Sequence, residues 1–280
     1  MKYRHSFHAG NFADVHKHVT LLALLRALQR KDKGFLYLDT HAGRGVYDLD
    51  SLETRRGAEH RQGFNLLRRV QHATAEIADY QQCVSQLRAG LAPRNVYPGS
   101  PLLAASVLRA QDRLIAVESQ SAECRALERA LHGYRNARAH CGDGWGAAAA
   151  QLPPPERRAL VLIDPPYEEG RADLSHALNA ITTALTRLAN AVTVVWYPIK
   201  DDRELQPWIS QVAATLQAPT LAAELWLHPR DSSVALNGSG MLIVNPPYLF
   251  DSAMEQWLPA LASALGADHN GGHALKRIVS

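Results

Sequence analysis

The stretch Ala159-Leu160-Val161-Leu162-Ile163-Asp164-Pro165-Pro166-Tyr167 decides how the chain folds. Five apolar residues closed by two prolines read as a buried strand that ends in a loop. A strand without polar alternation is covered on both faces, which points to a parallel sheet in an α/β fold. Its C-terminal end is the edge where open α/β sheets bind ligands. There stand a carboxylate, a carbonyl that no following N–H consumes, and an aromatic plane. Asp164, Pro165 and Tyr167 together suit the grip of a flat ring that carries an amine. The plainer reading is a proline-stiffened turn with a half-buried tyrosine. A second copy, Asn245-Pro246-Pro247-Tyr248, follows the apolar run Met241-Leu242-Ile243-Val244, so place in the fold has to choose between them.

Working outward, the chain alternates strand and helix signals. Residues 13–28 carry apolar side chains at helical spacing, with Asn11 as a cap. Strands are expected at 35–39, 113–117, 137–140, 159–163 and 192–196, and helices at 121–131, 174–188 and 202–216. Residues 222–228 and 240–244 read as a terminal strand pair. The pattern implies a mostly parallel sheet with helices on both faces. From about 50 to 95 the strand signal vanishes. That segment is rich in Arg, Gln, Ala and Leu and reads as a small helical subdomain inserted into a single domain spanning 1–280. The rhythm resumes at Ser100, expected as an N-cap, with Pro101 at the first helical position. The Gly/His-rich last dozen residues read as loosely held.

The chain has 280 residues, 46% of them hydrophobic, enough for a full core. Cys83, Cys124 and Cys141 are scattered without a paired spacing, which argues against a disulfide framework or a cysteine zinc site and suits a reducing cytoplasm. No run of about 18 apolar residues and no signal-peptide core is present, so no membrane partner is expected. Net charge is +3, but residues 1–36 hold seven basic residues against two acidic ones, with His5, His8, His16 and His18 among them. Such a concentration favours a polyanionic partner, against the plain alternative of a solvated helix face. The histidine spacing would also allow zinc, but no cysteine or carboxylate set accompanies it, and no metal is expected.

Asp39-Thr40-His41-Ala42-Gly43-Arg44-Gly45 follows the first strand. Its glycines let the backbone approach a ligand. A dinucleotide fingerprint would need a third glycine where Asp48 stands, and a P-loop lysine is absent. The loop therefore suits a nucleoside without a pyrophosphate. Glu118 ends the second strand and suits a ribose diol. Asp143 and Gly144 follow the third and suit an adenine. Asp164 follows the fourth. This succession is that of a Rossmann-like class I S-adenosylmethionine-dependent methyltransferase. It selects Asp164 over Asn245, which comes too late and reads as a structural turn.

Tyr3-Arg4-His5-Ser6-Phe7-His8-Ala9-Gly10-Asn11, Asp14-Val15-His16-Lys17-His18, Leu38-Asp39-Thr40-His41-Ala42-Gly43, Tyr97-Pro98-Gly99-Ser100-Pro101, Asp164-Pro165-Pro166-Tyr167, Trp196-Tyr197-Pro198 and Gly238-Ser239-Gly240-Met241 resemble the RlmJ family. The resemblance implies methylation of an adenine N6 in 23S ribosomal RNA, naked or in an early precursor, by a cytoplasmic enzyme using S-adenosylmethionine. It implies that His18, His41, Gly43 and Ser100 line the cofactor site toward the methionine end. Glu118 would hold the ribose, Asp143 and Gly144 the adenine, and Asp164 would adjoin the methyl. Tyr3, His5 and Lys17 would face the substrate nucleotide, and the insertion would touch RNA.

An adenine amine is a weak nucleophile because its lone pair is delocalised. Acceptors at Asp164 and the Pro165 carbonyl would localise it and stabilise the charge that develops on transfer. Tyr167 would stack on the base. The rival readings are a DNA adenine-N6 methyltransferase, a protein glutamine methyltransferase, and a non-catalytic RNA-binding assembly factor on the same fold.

Overall fold

The computed structural model describes residues 9–51, 63–91, 95–200, 202–230, 232, 236–266 and 271–280. Helix α1 (Phe12–Gln29) starts where the Asn11 side chain accepts the Asp14 N–H at 2.9 Å, the expected cap. It leads into β1 (Leu36–Asp39), whose four residues are all buried. The chain then forms β2 (Val46–Asp48), α2 (Phe64–Leu67), α3 (Ala75–Gly90), β3 (Val96–Pro98), α4 (Ser100–Val107), β4 (Arg113–Glu118), α5 (Ser121–Leu131) and β5 (Ala137–Cys141). There follow α6 (Ala147–Gln151), β6 (Ala159–Ile163), α7 (Arg171–Arg187), β7 (Val192–Ile199), α8 (Asp202–Thr215), β8 (Thr220–Trp226), β9 (Gly238–Val244), α9 (Phe250–Ala264) and β10 (Gly272–Val279).

The main sheet has the order β10-β8-β9-β7-β6-β1-β4-β5. β1 lies between β4 and β6, parallel to both, with Leu38 opposite Ile115 and Val161. The chain winds outward from β1 through β4 to β5, then resumes on β1's other side with β6. The switch point is therefore at β1, where the C-terminal ends of β1, β4 and β6 open a crevice. Helices α1, α4 and α9 cover one face, and α6, α7 and α8 the other. All five residues of β6 are buried, as a strand covered on both faces must be.

β2 and β3 pair antiparallel, with Tyr47 opposite Tyr97, and bracket the inserted helices α2 and α3. Ile77, Tyr80, Cys83 and Val84 form the buried face of α3.

Four expectations change. Residues 272–279 are not loosely held: β10 pairs antiparallel with β8, and Lys276 reaches the buried Glu224 at 2.9 Å. Its half-exposed edge position explains the weak apolar signal. The N-cap of α4 is Gly99, and Ser100 lies inside the helix with its hydroxyl donated to Asp39 at 2.7 Å. Cys124 and Cys141 are joined by a disulfide with Cα atoms 5.6 Å apart, because the α5–β5 crossover brings together positions 17 residues apart. β7 runs on to Ile199, well past residue 196.

β9 runs antiparallel to β7, with Val244 opposite Thr193 and Gly238 opposite Ile199. Asn245 therefore emerges at the sheet edge opposite Asp164. Its side-chain amide donates to the Ala189 and Ala191 carbonyls at 2.9 and 3.0 Å, which is the work of a structural turn. No helix among the described residues is long and apolar enough to cross a membrane.

Candidate active site

A cavity of about 340 Å³ opens at the C-terminal ends of β1, β4 and β6. Of the positions singled out in the sequence, Lys17, His18, His41, Gly43, Ser100, Glu118, Asp164 and Pro165 line it. Topology alone assembles this set, since it draws on α1, the loop after β1, the start of α4, the end of β4 and the loop after β6.

The loop after β1 is held on both sides. The Ala42 N–H donates to the Val117 carbonyl at 2.9 Å, and the Thr40 hydroxyl to the Leu162 carbonyl at 3.0 Å. Gly43 has φ +62°, and a Cβ there would lie 2.2 Å from the Tyr47 hydroxyl. The glycine is thus required both by backbone conformation and by the close approach of β2. Its N–H donates to Glu118 Oε2 at 3.0 Å, while Glu118 Oε1 accepts the Gln120 N–H at 2.7 Å. Two backbone donors fix the carboxylate and leave lone pairs for a diol.

Asp143 and Gly144 sit beside the cavity without being part of its lining. Asp143 accepts the N–H groups of Trp145 and Gly146 at 3.2 and 3.1 Å and shapes the turn into α6. A Cβ on Gly144 would lie 2.0 Å from the Thr40 carbonyl oxygen and 2.9 Å from His41 Nε2. Only glycine lets the β5 loop close against the β1 loop. His41 is wedged there, its Nδ1 2.8 Å from the Thr40 hydroxyl and its ring edge-on to Trp145. Burial lowers its pKa to about 4, so the ring is neutral.

Asp39 at the end of β1 is fully buried. Its Oδ2 accepts the Tyr37 and Ser100 hydroxyls at 2.9 and 2.7 Å, whereas Oδ1 has no partner among the described residues. Burial raises its pKa to about 6, opposed by those two donors. An orphaned buried acceptor beside the Ser100 wall is suited to a donor on a bound ligand.

Lys17 is buried and its ammonium bridges two carboxylates, Asp14 Oδ1 at 2.8 Å and Asp164 Oδ2 at 2.5 Å. Burial would lower its pKa, but the Asp14 and Asp164 charges outweigh that and hold it above the usual lysine value. Asp14 is itself fixed by the Gly10 N–H at 2.9 Å. The first turns of α1 therefore anchor the catalytic-candidate carboxylate, and Lys17 contacts Asp164 directly. Among the described residues, Asp164 Oδ1 has no partner.

Tyr167 sits in the left-handed region at φ +51°. That conformation turns its side chain onto β7, where the hydroxyl donates to the Trp196 carbonyl at 2.6 Å and the ring meets Trp196 edge-on. Only 8% of the residue is exposed, so the face expected to stack on a base is mostly covered. Tyr3 and His5 lie outside the described residues. His16 and His18 diverge: His16 Nδ1 lies 3.0 Å from the Ser239 hydroxyl, and His18 Nδ1 2.8 Å from the Tyr97 hydroxyl.

Sequence reasoning passed over Asp14, Tyr47, Tyr80, Tyr97 and Gln120. Tyr97 stands in the Tyr-Pro-Gly-Ser-Pro motif, a signal that was available. Its hydroxyl also lies 3.1 Å from that of Tyr80 on α3, so a chain of hydroxyls runs from the insertion to His18.

The donor set fits S-adenosylmethionine. A carboxylate fixed for a diol, a glycine that admits the backbone and a carboxylate at the far end line one cavity, with an unmet buried acceptor, Asp39, behind Ser100.

Comparisons with known proteins agree. The profile of the family described as "Ribosomal RNA large subunit methyltransferase D, RlmJ" matches residues 32–279. A Haemophilus influenzae protein named ribosomal RNA large subunit methyltransferase J is 36% identical over 278 residues, covering 99% of each chain. An Escherichia coli protein of the same name is 37% identical over 275 residues, covering 98% of this chain and 97% of its own. The crystal structure of protein LPL1258 from Legionella pneumophila superposes with a TM-score of 0.85 at 31% identity, covering 96% of this chain and 98% of that one.

Proposed function

The chain belongs to the RlmJ family of ribosomal RNA large subunit methyltransferases, and from that premise we propose that it methylates the exocyclic N6 of one adenine in 23S ribosomal RNA. The observation that carries the choice of atom is Asp164 at the cavity's end, one oxygen tied to Lys17 and the other without a partner among the described residues. S-adenosylmethionine supplies an electrophilic methyl on a sulfonium.

The residues of the chain do the rest. Glu118 and Gly43 hold the nucleoside end, with Gly144 closing the adenine side against His41. Ser100, backed by Asp39, faces the methionine end. Asp164 Oδ1 accepts one N–H of the adenine amine and the Pro165 carbonyl accepts the other, which draws the nitrogen lone pair out of the ring. The same oxygens stabilise the positive charge that builds on nitrogen, and Asp164 takes the released proton. Preorganised acceptors of this kind supply several kcal/mol. Lys17 holds Asp164 in place through its contact with Oδ2. Tyr167 supports the pocket floor through hydroxyl and edge contacts and meets the base with the small part of its ring left open. The target base leaves its stack to enter, at a cost of a few kcal/mol that an RNA loop reduces. Protein-free or early precursor RNA in the cytoplasm is the substrate form that gives the basic N-terminal segment access to phosphates.

The test is methyl incorporation from labelled cofactor into deproteinised 23S RNA, 16S RNA and duplex DNA, followed by nucleoside analysis. N6-methyladenosine in 23S RNA alone is expected. Label in DNA, or in a nucleoside other than adenosine, would overturn the reading.

A further inference from the structure

The inserted helices hold a second cavity, of about 540 Å³, lined by Phe64, Arg68, Tyr80, Gln82, Ser85 and Arg88 among others. Arg68 follows α2 and Arg88 lies in the last turn of α3. The Arg88 guanidinium lies 5.0 Å from the centroid of the Phe64 ring, and its Nη2 donates to Asn95 Oδ1 at 3.2 Å. Its Nη1 is buried with no acceptor among the described residues. Neither arginine is paired with a carboxylate among the described residues, and no carboxylate among them lines the cavity. Burial first, and then the Arg68 charge, disfavour the Arg88 cation. Two like charges border one hollow, so the complementary group is an anion. A guanidinium held over an aromatic ring carries donors in the fork that matches phosphate.

The hollow is close to the chemistry. Tyr80 lines it, the Tyr80 hydroxyl meets Tyr97, and Tyr97 meets His18, which lines the cofactor cavity. A chain of three side chains links the two cavities.

We propose that this cavity is a phosphate subsite that seats a backbone phosphodiester of the substrate RNA between Arg68 and Arg88 while the target adenine occupies the site at Asp164. The proposal rests on the ribosomal RNA reading above. It makes the insertion a clamp on the strand next to the extruded base.

Full-length protein is compared with R68Q, R88Q and R88K, with R187Q as a control of equal charge change on the exposed last turn of α7. Circular dichroism verifies folding. Binding of a 23S RNA fragment is measured across a salt series. R68Q and R88Q are each expected to weaken binding about 3- to 10-fold and to flatten the salt slope by about one per arginine, with R187Q like wild type. R88K keeps the charge without the fork and is expected in between. Folded R68Q and R88Q with wild-type affinity and slope would overturn the subsite. If R88Q does not fold, the exposed Arg68 carries the test through R68Q.

A parallel thermal-shift titration with inorganic phosphate separates the ligand sources. Phosphate that stabilises wild type but not R68Q, with RNA affinity equal in both, would assign the cavity to a free phosphate compound and overturn the RNA subsite. Wild-type protein that neither binds nor methylates RNA would instead sink the ribosomal RNA reading, and the phosphate arm would then decide the anion site by itself.

Discussion

Asp164 and Lys17 form a unit in which a buried ammonium fixes a carboxylate that lines the cavity. Asp164→Ala is expected to lower methyl transfer by about 10²- to 10³-fold or more while cofactor still binds, as removal of a preorganised acceptor does. Single-turnover assays beside calorimetric titration with S-adenosylmethionine read both quantities, and near-wild-type turnover would remove Asp164 from the mechanism. Asp39 makes a prediction with a definite sign. Its folded pKa of about 6 lies above the ordinary carboxylate value, so the folded protein binds more protons than the unfolded chain between about pH 4 and 6. Stability is therefore full below pH 4 and falls as pH rises through 6, by about 3 kcal/mol from this group. Asp39→Asn removes that titration. Melting curves from pH 4 to 8 should show the variant gaining on wild type up to pH 6 and running parallel above it. Parallel curves throughout would show that Asp39 is not held as a neutral acid.

Among the elements, the loops after β1 and β5 act as a pair. Gly144→Ala would drive a methyl group into the Thr40 carbonyl oxygen, so one loop must move. Cofactor affinity is expected to drop at least about tenfold with a lowered Tm, in line with the few kcal/mol that backbone clashes cost. Unchanged affinity would mean that the two loops do not jointly form the site. Helix α1 is linked to the insertion by the Tyr80–Tyr97–His18 chain. Tyr97→Phe keeps the ring and removes the shared hydroxyl, at about 1–3 kcal/mol because two buried partners lose it. A KM for S-adenosylmethionine raised several-fold, with a smaller effect on kcat, is the expected pattern. An equal loss in both would mark Tyr97 as acting on chemistry itself.

For the whole molecule, sheet direction separates two nearly identical tetrapeptides. The Asn245 turn emerges from an antiparallel strand at the edge opposite the cavity, with Tyr248 84% exposed. Asn245→Ala removes two hydrogen bonds to the loop before β7 and is expected to cost about 1–3 kcal/mol of stability with kcat unchanged. Chemical denaturation and a turnover assay check the two halves, and a large loss of kcat in a folded variant would place function at that turn.

Local order was legible in the chain wherever one residue type had one physical meaning. The unbroken apolar run of β6, the cap at Asn11 and the glycines of the β1 loop announced a covered parallel sheet with a nucleoside edge. The Asp-Pro-Pro-Tyr motif together with its place after the fourth strand picked out Asp164, which lines the cavity, over Asn245, which does not. What the chain did not disclose were pairings made across long sequence distances: Cys124 with Cys141, β10 with β8, Lys17 with both Asp14 and Asp164, and Tyr97 with His18. Those contacts depend on which elements meet when the sheet closes, and partners far apart in sequence leave no periodic trace. The inward turn of Tyr167 was hidden for a related reason, since the space beneath β7 and a free carbonyl at Trp196 exist only once the strands are side by side.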